Sequence, residues 1–131
     1  FSSQLTGQKA QDALFGSEQI SIGGIYSVRG FVDNSLSGDS GYYLRNELSH
    51  RRPIYIASEV LSTRFYIGYD TGSVSNSRTD NPDGHLSGMV LGLSTNWRGL
   101  TWDFFSTRAL SLPDSMVKES TQSWFRLAYA Y

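Results

Sequence analysis

The chain has 131 residues, 18% of them charged and 14% aromatic, with a formal net charge of −1 and no cysteine. At roughly 100–200 residues per domain this is one domain at most, or part of one. The near balance of charge gives no general reason to expect nucleic acid or an anionic membrane surface as a partner. The missing cysteines exclude disulfide frameworks, zinc–thiolate sites and thiol nucleophiles, and no run approaches the ~18 apolar residues of a transmembrane helix. Thirteen glycines, many aromatics and few charges suit an all-β protein, soluble or outer-membrane. The chain opens on Phe1-Ser-Ser-Gln, without Met, basic leader or apolar leader. The expectation is a removed signal or a start inside a longer chain.

In chain order, Phe1–Gly7 reads as no more than a strand stub and 8–37 as a long loop, with only weak helical character at Gln8–Leu14. Tyr42, Leu44 and Leu48 then alternate with Tyr43, Arg45 and Glu47. Period-2 alternation of this kind is the strand signature. His50, beside Arg51-Arg52-Pro53, reads as a turn. Phe65, Ile67 and Tyr69 alternate with Tyr66, Gly68 and Asp70, and a polar loop follows over Thr71–His85. Met89, Leu91, Leu93, Thr95 and Trp97 share one face of the next strand. A tight connection at Trp97-Arg98-Gly99 leads to Leu100, Trp102 and Phe104, which alternate with Thr101, Asp103 and Phe105. After a loop over Ala109–Thr121, the last strand sets Phe125, Leu127, Tyr129 and Tyr131 opposite Trp124, Arg126, Ala128 and Ala130.

Short turns at one end of the strands and long loops at the other are the habit of bacterial transmembrane barrels, as are aromatic residues near both interfaces. A soluble β-sandwich or small barrel alternates just as well, so the pattern alone leaves both open. Five convincing strands are too few to close a bacterial barrel, which needs about eight or more, and open edges in lipid are forbidden by unpaired backbone groups. A membrane reading therefore places further strands upstream of Phe1.

Gly23-Gly24-Ile25-Tyr26-Ser27-Val28-Arg29-Gly30-Phe31 is followed by Leu36-Ser37-Gly38-Asp39-Ser40-Gly41-Tyr42-Tyr43-Leu44-Arg45-Asn46-Glu47-Leu48. This resembles the TpsB family of two-partner secretion transporters, which export haemolysins, adhesins and contact-dependent toxins. The Val-Arg-Gly-Phe tetrapeptide is shared with the wider superfamily that includes BamA-type insertases; the Ser-Gly-Asp continuation is more typical of TpsB. Phe65–Gly72, with Tyr69-Asp70-Thr71-Gly72, resembles the family's Asp-x-Gly strand, and Gly84–Asp103 resembles its penultimate hairpin. The aromatic C-terminal residue resembles the signal by which barrels are recognised for assembly, with Tyr131 where Phe is commoner.

The resemblance covers essentially the whole chain and implies the C-terminal portion of an about sixteen-stranded transmembrane barrel. Residues 1–7 would end one strand, 8–37 would form a loop folded into the lumen, and 38–131 would supply the last five strands. Periplasmic POTRA domains and the rest of the barrel would lie upstream. The implied setting is the bacterial outer membrane, with lipid around the barrel, a secreted TpsA-type exoprotein as partner, and the barrel assembly machinery engaged during biogenesis. No nucleic acid and no cofactor are expected.

For individual residues, the resemblance implies that Val28, Arg29, Gly30 and Phe31 form the lumen-loop motif and that Asp70 and Gly72 are its partners on the wall. Asp70 lies on the polar parity of its strand, where a guanidinium can make a bidentate, charge-assisted pair with it. Tyr43, Arg45 and Glu47 are candidate lumen-lining residues; Phe125, Leu127, Tyr129 and Tyr131 are the candidate assembly signal. Two alternatives stay open: a BamA-type assembly factor and a soluble β-sheet binding domain. Catalysis has little to stand on, since neither Gly-x-Ser-x-Gly nor His-Glu-x-x-His occurs. No metal site is expected: Asp80-Asn81-Pro82-Asp83-Gly84 lacks the spaced ligands of a calcium loop and reads as a turn.

Overall fold

The structure, a computed structural model, describes residues 1–77 and 82–130. Asp80, Asn81 and Tyr131, singled out above, lie outside the described residues. Six strands form one antiparallel sheet in the order β1-β4-β5-β6-β7-β8. They are β1 (Ser2–Gln8), β4 (Ser40–Ile56), β5 (Glu59–Ser75), β6 (Gly84–Trp97), β7 (Leu100–Ser111) and β8 (Gln122–Tyr129). Between β1 and β4 the chain makes a separate small hairpin from β2 (Ile20–Ile22) and β3 (Leu36–Gly38). Three-residue strands are too short to leave an alternation signal, which is why this stretch reads as loop from the sequence.

Three boundaries differ from the sequence reading, the simplest being β7, which runs to Ser111 where a loop over Ala109–Thr121 is expected, because Ala109 is buried in the core. His50 is not in a turn: it pairs with Phe65, and β4 and β5 stay in register down to Ile56↔Glu59, with Ala57 taking the positive φ of the tight turn. Pro53 is tolerated in β4 because the β1 ladder reaches only to Ser2↔Glu47, so no β1 residue needs its missing N–H. The polar stretch after Thr71 is shorter as a loop than its composition suggests. β5 runs to Ser75 and β6 begins at Gly84, because Val74 on the alternating parity is buried and pins the strand. The Arg98-Gly99 turn is as expected, with both residues at positive φ, the conformation of a type I′ hairpin.

The sheet thus has tight turns at one end and the connections 9–39, 76–83 and 112–121 at the other. The longest connection folds back over one face. Ile22, Val28, Phe31 and Leu36 from it pack on Val74, Leu86 and Ala109 of the strands, and this is the hydrophobic core. The opposite face is bare and apolar: Leu48, Phe65, Ile67, Tyr69, Leu91, Trp102, Phe104, Phe125 and Leu127 are all well exposed on it. One sheet therefore carries a small buried core on one side and an uncovered apolar surface on the other. That is the reverse of a soluble β-sandwich, whose bare faces are polar.

Phe31 is 1% exposed, so Phe31→Ala is expected to loosen the folded-back segment by about 3–5 kcal/mol. Limited proteolysis should then cut residues 23–35 faster while the strands resist as before.

Candidate functional site

Arg29 comes to the sheet on the segment between β2 and β3, immediately before a position whose positive φ favours glycine. Gly30 has φ +114, and a Cβ there would lie 2.7 Å from the Arg108 carbonyl. The backbone can approach this closely because the strands beneath are paved with glycine. A Cβ on Gly68 would sit 2.6 Å from Arg29 Nη2, one on Gly72 would sit 3.1 Å from Val28 Cγ2, and one on Gly88 would overlap the Arg29 carbonyl oxygen. The ladder between β6 and β7 also shifts register at Ser87/Gly88, under the same spot. Bulges of this kind re-aim side chains beside functional sites.

The guanidinium meets Asp70 in bidentate fashion, Nε donating to Oδ2 at 2.6 Å and Nη2 to Oδ1 at 2.9 Å. The Arg29 backbone N–H adds a third bond to Oδ2 at 3.1 Å. Arg29 is 5% exposed and Asp70 0%. Hydrogen bonds to charged groups contribute ~1.5–3 kcal/mol each, whereas removing one partner of a buried pair costs about 3–5 kcal/mol.

The pair begins a longer chain of contacts across the covered face. Arg29 Nη1 also donates to Glu47 Oε2 at 3.2 Å, and Glu47 Oε1 accepts from Arg64 Nη1 at 2.6 Å. Arg64 lies over the Tyr66 ring, 4.4 Å from its centroid. Tyr66 donates its hydroxyl to Asp103 at 3.0 Å, and Asp103 accepts from Arg126 Nη2 at 3.1 Å. Acid and base thus alternate from β5 through β4 to β8. Arg45 donates to the Tyr26 carbonyl at 3.2 Å and holds the segment just before the tetrapeptide. Tyr43 packs against the core cluster. A cleft of about 470 Å³ runs alongside, lined in part by Tyr26, Arg45, Phe105 and Trp124. Phe105 and Trp124 stack there at 6.5 Å between centroids, so these two aromatics face the covered side.

The structure therefore brings Val28, Arg29, Gly30, Phe31, Asp70, Gly72, Tyr43, Arg45 and Glu47 to one place. Phe125, Leu127 and Tyr129 lie elsewhere, exposed on the bare face of β8. Arg64, Tyr66, Asp103 and Arg126 join the site without having been singled out, although the inward parity of Asp103 and Arg126 was readable. Asp39 was also passed over. Its carboxylate accepts Leu14 N–H at 2.8 Å, Gln19 Nε2 at 3.0 Å and Ser77 N–H at 2.9 Å, joining the folded-back segment to the β5–β6 loop. The Ser-Gly-Asp motif was its only signal. His85 meets Thr71 at 3.3 Å, and Asp83 accepts from the Asn76 N–H at 2.7 Å. Among the described residues no group of acidic and histidine side chains could hold a metal ion.

Residues 1–95 match the family described as "Haemolysin secretion/activation protein ShlB/FhaC/HecB". The "Outer membrane transporter CdiB" of Escherichia coli is 36% identical over 95% of this chain and 21% of its own. The "Hemolysin transporter protein ShlB" of Serratia marcescens is 31% identical over 95% of this chain and 22% of its own. Among solved structures, CdiB from Escherichia coli superposes with a TM-score of 0.86 at 34% identity, covering 98% of this chain and 24% of that one. CdiB from Acinetobacter baumannii gives 0.83 at 35% identity, covering 98% and 23%. The chain thus spans about a fifth of the length of the curated relatives it matches.

Hydrogen bonds from Gln19 and from the Leu14 and Ser77 amides hold the Asp39 carboxyl down at about 2, against an ordinary 3.8. A depressed carboxyl contributes stability that is complete above its unfolded value and is lost as pH falls through the folded one. A spin label at Ser17→Cys should therefore stay immobile down to about pH 4 and gain mobility toward pH 2, and Asp39→Asn should flatten that profile. The match over residues 1–95 takes in Arg29, Glu47 and Asp70, and both CdiB structures superpose over 98% of the chain: the chain belongs to the ShlB/FhaC/HecB haemolysin secretion/activation family.

Proposed function

We propose that the protein to which this chain belongs exports a partner exoprotein across the bacterial outer membrane through a β-barrel pore, as the translocating half of a two-partner secretion system. The observation that carries the reading is the Arg29–Asp70 pair: a long loop folded back on the covered face and fixed by a buried, bidentate ion pair. In a complete barrel the covered face is the lumen, and the folded-back segment lies across the path of cargo. Residues 8–37 then act as the lumen loop and 38–131 supply the last five strands. The POTRA domains and remaining strands belong upstream. The bare apolar face meets lipid, and the exposed Phe125, Leu127 and Tyr129, with Tyr131, act as the recognition signal for barrel assembly.

The chemistry of the site is binding, not turnover. Charge-paired guanidinium and carboxylate groups hold a segment in place, and export needs neither a catalytic residue nor a cofactor. The cargo is an unfolded haemolysin, adhesin or contact-dependent toxin of the TpsA type. Family membership favours this over a BamA-type assembly factor, and the bare apolar face weighs against a soluble binding domain.

In the full-length transporter, Arg29→Asp and Asp70→Arg are each expected to reduce exoprotein in the medium sharply, with the double exchange recovering part of it. Equal loss in all three variants would remove the pairing from the account. Leu91 sits mid-strand on the bare face and is 61% exposed. Leu91→Arg should destabilise the bilayer-inserted barrel by about 2–4 kcal/mol, read by urea titration in vesicles, whereas a soluble domain would tolerate it.

A further inference from the structure

The segment that carries Arg29 is held a second time, from a different element. Glu119, on the connection between β7 and β8, accepts hydrogen bonds from three consecutive backbone N–H groups directly after the tetrapeptide. Val32 N donates to Oε2 at 2.8 Å, Asp33 N to Oε1 at 3.2 Å and Asn34 N to Oε1 at 2.9 Å. The Asn34 side chain adds Nδ2 to Oε1 at 2.7 Å and also reaches the Val117 carbonyl at 3.1 Å. Gln122 Nε2, at the start of β8, donates to Oε2 at 2.7 Å. Successive amides converging on one carboxylate form an anion nest, and here the anion comes from another part of the chain. Burial by itself pushes the Glu119 carboxyl up, but the Val32 and Asp33 amides and the Asn34 and Gln122 side chains outweigh it and hold it below its ordinary value.

Only Gly30 and Phe31 separate the residue clamped by Asp70 from the amides clamped by Glu119. Phe31 is itself in the core. The two clamps act on opposite sides of the positive-φ Gly30, one from the strands beneath and one from the loop end of the sheet. We propose that Glu119 is a second positioning residue of the lumen loop, fixing the chain just beyond Phe31 so that Arg29 stays on Asp70, and thereby tying the β7–β8 surface loop to the resting state of the pore. This rests on the reading of residues 8–37 as the segment that closes the lumen. Movement of the β7–β8 connection then withdraws the carboxylate from three amides at once and loosens Arg29 on Asp70 from a distance.

The test is single-channel recording of the full-length transporter in planar lipid bilayers, beside an export assay. Glu119→Ala and Glu119→Gln are expected to raise the time spent in the high-conductance state about ten- to a hundredfold, the worth of losing hydrogen bonds to a charged acceptor. Glu119→Asp, which keeps the charge, should recover part of the closed state. Arg29→Ala is the reference for an opened loop. If Glu119→Ala matches the parent while Arg29→Ala opens the pore, the second clamp is wrong and the first stands. If neither variant changes conductance or export, the closing-loop reading falls, and the second clamp with it. Should Glu119→Ala fail to assemble, Asn34→Ala removes one donor and leaves the carboxylate; it should give a smaller rise, and the absence of any rise overturns the proposal.

Discussion

Everything on the covered face is arranged around one requirement, that a guanidinium be carried to a buried carboxylate by a backbone lying almost flat on a sheet. A carboxylate buried as deeply as Asp70 needs a partner at hydrogen-bond distance, and Arg29 supplies it through Nε and Nη2 of its side chain and through its own N–H. The flat approach explains the glycines. Gly30 makes the bend, while Gly68, Gly72 and Gly88 leave room for the Val28–Arg29 segment to touch the strands. Gly92 does the same for Tyr66, whose ring occupies the place of a Cβ. The hydrophobic core is small because its task is limited to seating this segment, with Val28 and Phe31 buried on either side of the arginine.

The strand parities were legible because each strand has one face bare and apolar and the other covered, so alternation is enforced along most of its length. The Arg29–Asp70 partnership was legible only through the family resemblance of Val28–Phe31 and Tyr69–Gly72; parity added that Asp70 faces the covered side. What stayed hidden has a common physical cause. Ends of strands such as Ser73–Ser75 are composed like loops, and their strand character comes from pairing with β4 and β6 rather than from their own residues. The long β4–β5 hairpin was missed because His50-Arg51-Arg52-Pro53 has turn composition, yet sits in a ladder whose register is set from both ends. Asp39 and Glu119 act on backbone amides of distant segments, and backbone amides have no sequence signature at all.

The wall contacts also divide the work of the loop between chemistries of different reach. Core burial and the glycine pavement act only at contact distance and give the segment one seat. The alternating charges act further, linking β4, β5, β7 and β8 into a single polar line through Glu47, Arg64, Tyr66, Asp103 and Arg126. A displacement at Arg29 therefore reaches Glu47 as well as Asp70, and Glu47's other oxygen is already held by Arg64. Networks with every member satisfied rigidify their surroundings, and this one ties the seated segment to the strands beneath it.

In the pore proposed above, the same balance bears on the traffic of small ions. With the segment seated, Arg29 neutralises Asp70 and shares Glu47 with Arg64, so a passing ion meets a wall of matched charge. Once the segment withdraws, Asp70 loses its paired guanidinium and keeps only Arg45 as its charged cross-strand neighbour, and Glu47 keeps only Arg64. An open pore would then be more cation-selective than a closed, leaking one, and its reversal potential in a salt gradient would report the position of a single arginine.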